Sequence, residues 1–136
     1  MNASEPEFRP GVRLSGIDVF VLVFGTVAVL AVSPFVPWLG FAIAFVVVHF
    51  FLFCNVFRIA RMPELIWAAL YLAFAISTLS YGQPGWLITT LIMVSASAVL
   101  IAIEMRKPSY HGIGWQRINP GLRDWWESNV LQRNSA

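Results

Sequence analysis

Charge is the scarcest property of this chain. Of its 136 residues only 12% are Asp, Glu, Lys or Arg, while 58% are hydrophobic, and the mean hydropathy is +0.71. Ordinary soluble domains carry about 25% charged residues and cannot leave this much apolar surface in water. A water-facing globular fold is therefore excluded. Cysteine is almost missing as well. The single Cys54 excludes an intrachain disulfide and any cysteine-built zinc or iron–sulfur site within one chain. In an apolar run it reads as a small hydrophobe. Histidine occurs twice, as His49 and His111. No Ser–His–acid set, Gly-rich phosphate loop or zinc-ligand spacing is present, and no nucleophile stands beside a base. We expect neither a catalytic nor a metal site. The net charge of +2 comes from basic residues flanking apolar runs, where anionic headgroups attract them. Nucleic-acid binding is not expected.

What is present is four long apolar runs. They predict an all-α integral membrane protein with four transmembrane helices in two hairpins, over about 14–33, 38–60, 63–80 and 86–105. Each run approaches the roughly 20 residues that span a bilayer core. Ser15 is the predicted N-cap of the first helix, with Asp18 in the first turn. Pro34 and Pro37 break the chain after Ser33. The second helix should end near Arg61, because Pro63 disfavours a helical Met62. Pro63 then opens the third helix, with Glu64 in its first turn. Tyr81–Gly85 reads as a turn. None of the runs carries a charged stripe at helical spacing, so a buried soluble bundle does not fit.

The charges that exist are all on one side. The nine basic residues fall before the first helix, between the second and third, and after the fourth; the loops 33–37 and 81–85 carry none. Short Lys- and Arg-rich loops stay cytoplasmic. The expectation is a multi-pass protein of the cell (inner) membrane with both termini in the cytoplasm. Trp38 and Trp86 should anchor the outer interface, and Trp115, Trp125 and Trp126 the inner one. Residues 1–13 form a polar arm expected to be mobile or surface-lying. The tail, 106–136, contains an amphipathic stretch at about 120–131, with Leu122, Trp125, Trp126 and Val130 on one face. It should lie in the headgroup layer or contact the chain itself, ahead of docking on a partner. Asn119–Pro120 reads as its cap and first turn.

Small residues should carry helix packing, since lipid offers no hydrophobic drive between helices. Ala69, Ala73 and Ser77, then Ser95, Ala98 and Ala102, and Gly25 with Ala28 are the expected seams within one chain.

Two places could carry chemistry. His49 lies roughly 13 Å from Arg58 along a helix, near mid-membrane. Ionisable groups at that depth mark function by default. A neutral imidazole there could ligate haem iron or the magnesium of a chlorophyll, among Phe45, Phe50, Phe51 and Phe53. The competing reading is a hydrogen bond to a hydroxyl on another helix, such as Ser77, Thr89, Thr90 or Ser95. The second place is a polar network at the inner membrane face: Asp18, Asn55, Arg58, Glu64 and Glu104. Asn55 and Arg58 should share a helix face, with Arg58 held by Asp18 or Glu104.

Three functions follow as expectations. The first is a non-enzymatic accessory or assembly subunit acting through protein and lipid contacts. It needs no cofactor, and its partners are the bilayer and a larger membrane complex or further copies of the chain. The second is a His49-ligated haem or chlorophyll-type module. The third is a small oligomeric transporter using Asp18, although the one-sided charge disfavours antiparallel dimers.

Overall fold

A computed structural model describes residues 7–131, with side chains up to Asn129. Every regular element among them is helical. Three helices are long and apolar enough to cross a membrane: Pro37–Val56, Arg61–Tyr81 and Trp86–Met105. Helix α1, Gly16–Val32, is apolar and shorter.

Ser15 and Asp18 start α1 by reciprocal capping. The Asp18 amide donates to Ser15 Oγ at 3.3 Å and the Ser15 amide to Asp18 Oδ2 at 2.7 Å. This satisfies two amides that a helix start leaves without partners, worth on the order of 1 kcal/mol. Helix α2, Pro37–Phe51, runs back along α1. The approach is close: a Cβ on Gly25 would lie 2.7 Å from Val47 Cγ2.

Helix α2 does not reach residue 60. It widens into a π turn at Leu52–Val56, where the Phe57 amide reaches Leu52 O at 2.8 Å. Residues 57–60 form a link in which Arg58 has φ +52°. The wide turn lets Phe53 and Asn55 both point inward, which regular winding would not allow. Helix α3, Arg61–Tyr81, therefore starts two residues before Pro63. Proline is tolerated there because first-turn amides have no intrahelical acceptor anyway. Helix α4 is Trp86–Met105 and packs along α3.

The two hairpins meet through aromatic rings. Phe45, Phe53, Ile59, Trp67, Tyr71 and Met93 make the buried cluster. The small-residue seams of α3 and α4 are not where the chain packs. Ala69, Ala73, Ser95, Ala98 and Ala102 are exposed and Ser77 only half-buried. Instead α3 buries Trp67, Tyr71 and Thr78, and α4 buries Thr89, Met93, Ser97 and Glu104. Rings that each bury about 150–250 Å² outcompete the closer approach that alanines permit. The outer faces carry large apolar side chains, with Ile17 73% and Leu87 74% exposed. At the end with the two tight hairpin loops, Trp38 and Trp86 stack at 5.4 Å.

The described part of the arm and the tail lie at the other end, and there residues 7–13 are not free. The Gly11 amide donates to His111 O at 2.7 Å and the Arg13 amide to Asn55 O at 3.0 Å. Residues 1–6 and 132–136, Arg133 included, lie outside the described residues. The tail folds into α5, Trp115–Ile118, and α6, Leu122–Trp126, which continues as a π turn at Glu127–Leu131. Asn119 does not cap α6. Its amide reaches back to Tyr110 O at 3.2 Å and to Pro108 O, while Gly121 takes the cap position. The apolar face of α6 meets the chain itself: Leu122 is fully buried and Trp126 packs edge-on to Phe8 at 5.6 Å. Phe8 also meets Trp115, at 5.9 Å, while Trp125 is half-buried.

Candidate functional site

His49 is buried in the seam between the hairpins. Its ring lies 4.1 Å from that of Phe45 and 4.8 Å from that of Trp67, with the indole tilted by only 15°. Phe53 closes one side edge-on at 5.9 Å. Of the four phenylalanines expected around it, Phe45 and Phe53 make these ring contacts. The partner of His49 is not a hydroxyl of another helix. Its Nδ1 donates to the Phe45 carbonyl, one turn back, at 2.8 Å. The reason is Trp67, whose ring occupies the space toward α4. The Trp67 Nε1 takes the Ser97 hydroxyl at 2.9 Å, and that hydroxyl donates to Met93 O at 2.7 Å. Thr78 and Thr89 pair with each other at 3.2 Å. A carbonyl can only accept, so Nδ1 carries the proton and a neutral ring has its lone pair on Nε2. Among the described residues no hydrogen bond reaches Nε2.

Trp67 is the residue that sequence reasoning missed. It was visible as the first member of an i, i+4, i+7, i+11 stripe, Trp67–Tyr71–Phe74–Thr78.

The five polar residues of the terminal end resolve into separate local pairs. Asp18 and Asn55 are brought together. With its amide nitrogen facing them, Asn55 donates to Asp18 Oδ2 at 2.8 Å and to Arg13 O at 2.7 Å. It is 2% exposed, and it ties α1, the arm and the π turn at one point. Glu64 accepts instead from Cys54 Sγ at 3.0 Å. Glu104, also buried, pairs with Lys107 at 2.7 Å. Among the described residues Arg58 is not held by Asp18 or Glu104: its Nη1 donates to the Arg9 carbonyl at 2.6 Å. Nor do Asn55 and Arg58 share a helix face, because the helix has ended between them. Arg58 is half-buried and titrates below the ordinary arginine range. Burial is the main cause and the Arg13 charge the second. Its left-handed backbone costs about 1–3 kcal/mol.

The tail closes over this end. The Ile113 amide donates to Val56 O at 2.8 Å, and the Tyr110 hydroxyl to Ile113 O at 2.8 Å. Gly112 lies against the Phe57 carbonyl with no room for a side chain. Between arm and tail a cleft of about 670 Å³ is lined by Arg9, Arg13, Arg58, His111 and Trp126, among others. Compared with protein-family models, with curated proteins and with solved structures, the chain matches none.

Proposed function

We propose that this is a four-span protein of the cell membrane, with both termini in the cytoplasm, that serves a larger membrane assembly as an accessory or assembly subunit. It works through protein and lipid contacts. The observation that carries the reading is the division of labour between inside and outside. Inside, His49, Asn55, Thr78, Thr89, Ser97 and Glu104 all have partners within the chain. Outside, the small-residue faces of α3 and α4, Ala69–Ala73 and Ser95–Ala98–Ala102, are turned away from the core. Such faces let another helix approach closely in lipid. Helix α1 is counted as the fourth span because it packs along α2 and its 17 residues reach roughly 26 Å. The charge asymmetry supports the orientation.

Reporter fusions after Pro37, Met62 and Gln83 test the topology. The first and third should read as exported and the second as internal. Size analysis after mild solubilisation tests the role. The expected result is co-migration with a larger complex, diminished when Ala73 or Ala98 is replaced by Phe. A lone monomer in every mild detergent and in native lipid discs would refute it.

One observation favours a second reading. The Nδ1–H to carbonyl bond of His49 holds the tautomer in which Nε2 can ligate a metal. A haem or chlorophyll-type ring would then be held through His49 Nε2. His111 is in the tail, with Nδ1 bonded to Ser109 O at 2.8 Å, so bis-histidine iron would need two chains. A visible absorption spectrum of protein purified from its native membrane decides this. A colourless sample removes the reading; a pigment band lost in His49→Ala supports it.

A further inference from the structure

Arg58 occupies the left-handed region at φ +52°, where glycine is at ease and an arginine is strained. Its side chain lines the cleft between arm and tail, together with Arg9, Arg13 and His111. The one acid on that wall, among the described residues, is Glu7, which is already paired with Arg9 at 2.6 Å. Neither Arg13 nor Arg58 has a carboxylate within 4 Å among the described residues. Arg13 and Arg58 bring two like charges to one cleft, and the Arg58 guanidinium is also partly buried there. Burial and like-charge repulsion thus fall on the Arg58 side chain, and an anion between the arginines would offset both. The rim is of different character. Val12 and Leu14 are 55% and 58% exposed and lead onto the apolar exterior of α1. Cations inside and alkyl groups at the mouth call for an amphipathic anion.

We propose that this cleft seats the phosphate of an anionic membrane lipid, its oxygens between Arg13 and Arg58 and its acyl chains along Val12 and Leu14. The planar guanidinium fork matches phosphate oxygens better than an ammonium does. Inorganic phosphate shares the headgroup chemistry, but it makes no use of the apolar rim. The proposal rests on the chain being embedded in a bilayer.

The test measures binding of phosphatidylglycerol and of phosphatidylcholine to the full chain by native mass spectrometry from detergent micelles. The variants are Arg58→Gly, which suits the left-handed backbone and so spares the fold, Arg13→Gln, and the two combined. Wild type should prefer phosphatidylglycerol. Each arginine removed should weaken that lipid about fivefold, and the pair roughly twentyfold, from the usual worth of a basic residue at an anionic surface. Arg123→Gln, on the exposed face of α6 and bonded to Glu127 at 3.3 Å, should change nothing. Equal affinity for the two lipids in wild type, or undiminished phosphatidylglycerol binding in the double variant, overturns the proposal. Inorganic phosphate that displaces phosphatidylglycerol at equal concentration overturns the lipid assignment and makes the site one for a free oxyanion. Failure of phosphate to compete supports the lipid. A chain that never enters micelles or vesicles fails the membrane reading instead, a result distinct from entry without selectivity.

Discussion

Replacing Gly112 by alanine should undock the tail while leaving the helical hairpins in place. A Cβ at this position would lie 2.5 Å from Phe57 O, 2.8 Å from Phe57 C and 2.7 Å from the Tyr110 hydroxyl. Two of these are backbone atoms, which cannot swing aside as a side-chain end can. Overpacking of this kind costs about 1–3 kcal/mol. Moving the turn outward also weakens the Ile113 amide bond to Val56 O and the Tyr110 hydroxyl bond to Ile113 O. Each is worth about 0.5–1.5 kcal/mol. A combined loss of about 3 kcal/mol raises the undocked fraction roughly a hundredfold. Trypsin reads that fraction at Arg117 and Arg123 when opening is fast relative to cleavage, so the variant should be cut roughly a hundredfold faster. Gly121→Ala is the control. Nothing lies within 4 Å of its added carbon, and its φ of −84° suits any residue, so its cleavage should match wild type. If Gly112→Ala is cut no faster than Gly121→Ala, the docking of the tail on the α2–α3 link is wrong.

Three other outcomes are open to measurement. Asn55→Ala removes donors from the Asp18 carboxylate and the Arg13 carbonyl and should cost about 2–4 kcal/mol; a thermal midpoint in detergent equal to wild type would refute the three-way tie. Trp67→Phe gives up the bond to Ser97 and part of the ring contact, at about 2 kcal/mol. Trp38→Phe, 39% exposed at the hairpin end, should cost less than about 1 kcal/mol, and the reverse order in unfolding assays would sink the account of the core. Burial, with the Glu104 charge second, raises the Tyr110 phenol above its ordinary value. Its contribution to tail docking is complete below a pH of about 10 and is lost as pH rises through the raised value. Tryptophan emission should report that alkaline release, and Tyr110→Phe should abolish the step.

Local signals carried most of the architecture. The apolar runs, Ser15 with Asp18, Pro37 and Tyr81–Gly85 each act within a few residues, and helix ends form near all of them. The early end of α2 had no such mark. Pro63 is the obvious stop, yet the helix leaves its regular winding at Leu52 because Phe53 and Asn55 both find partners inside. Packing was legible at Gly25 and misread at Ala69–Ala73 and Ser95–Ala98–Ala102. Composition tells which faces can approach closely, but not which one wins against a stack of rings. The polar residues of the terminal end were recognised as a group. Their pairing was not, because Asp18–Asn55 and Cys54–Glu64 depend on how an irregular turn aims each side chain. The docking of the arm was least visible of all, since main-chain amides bonding main-chain carbonyls leave no trace in side-chain pattern.

The bond from Gly11 to His111 joins two segments one hundred residues apart. At about 5–20 residues per second, the ribosome needs roughly 5–20 s to supply the roughly one hundred residues between them. For that interval the arm can bond only to Asn55 and Arg58, and its Gly11 amide has no acceptor from the tail. The arrival of His111 is thus the event that adds the last of these ties, and a stop before it would leave Gly11 unfastened while Arg13 stayed bonded to Asn55.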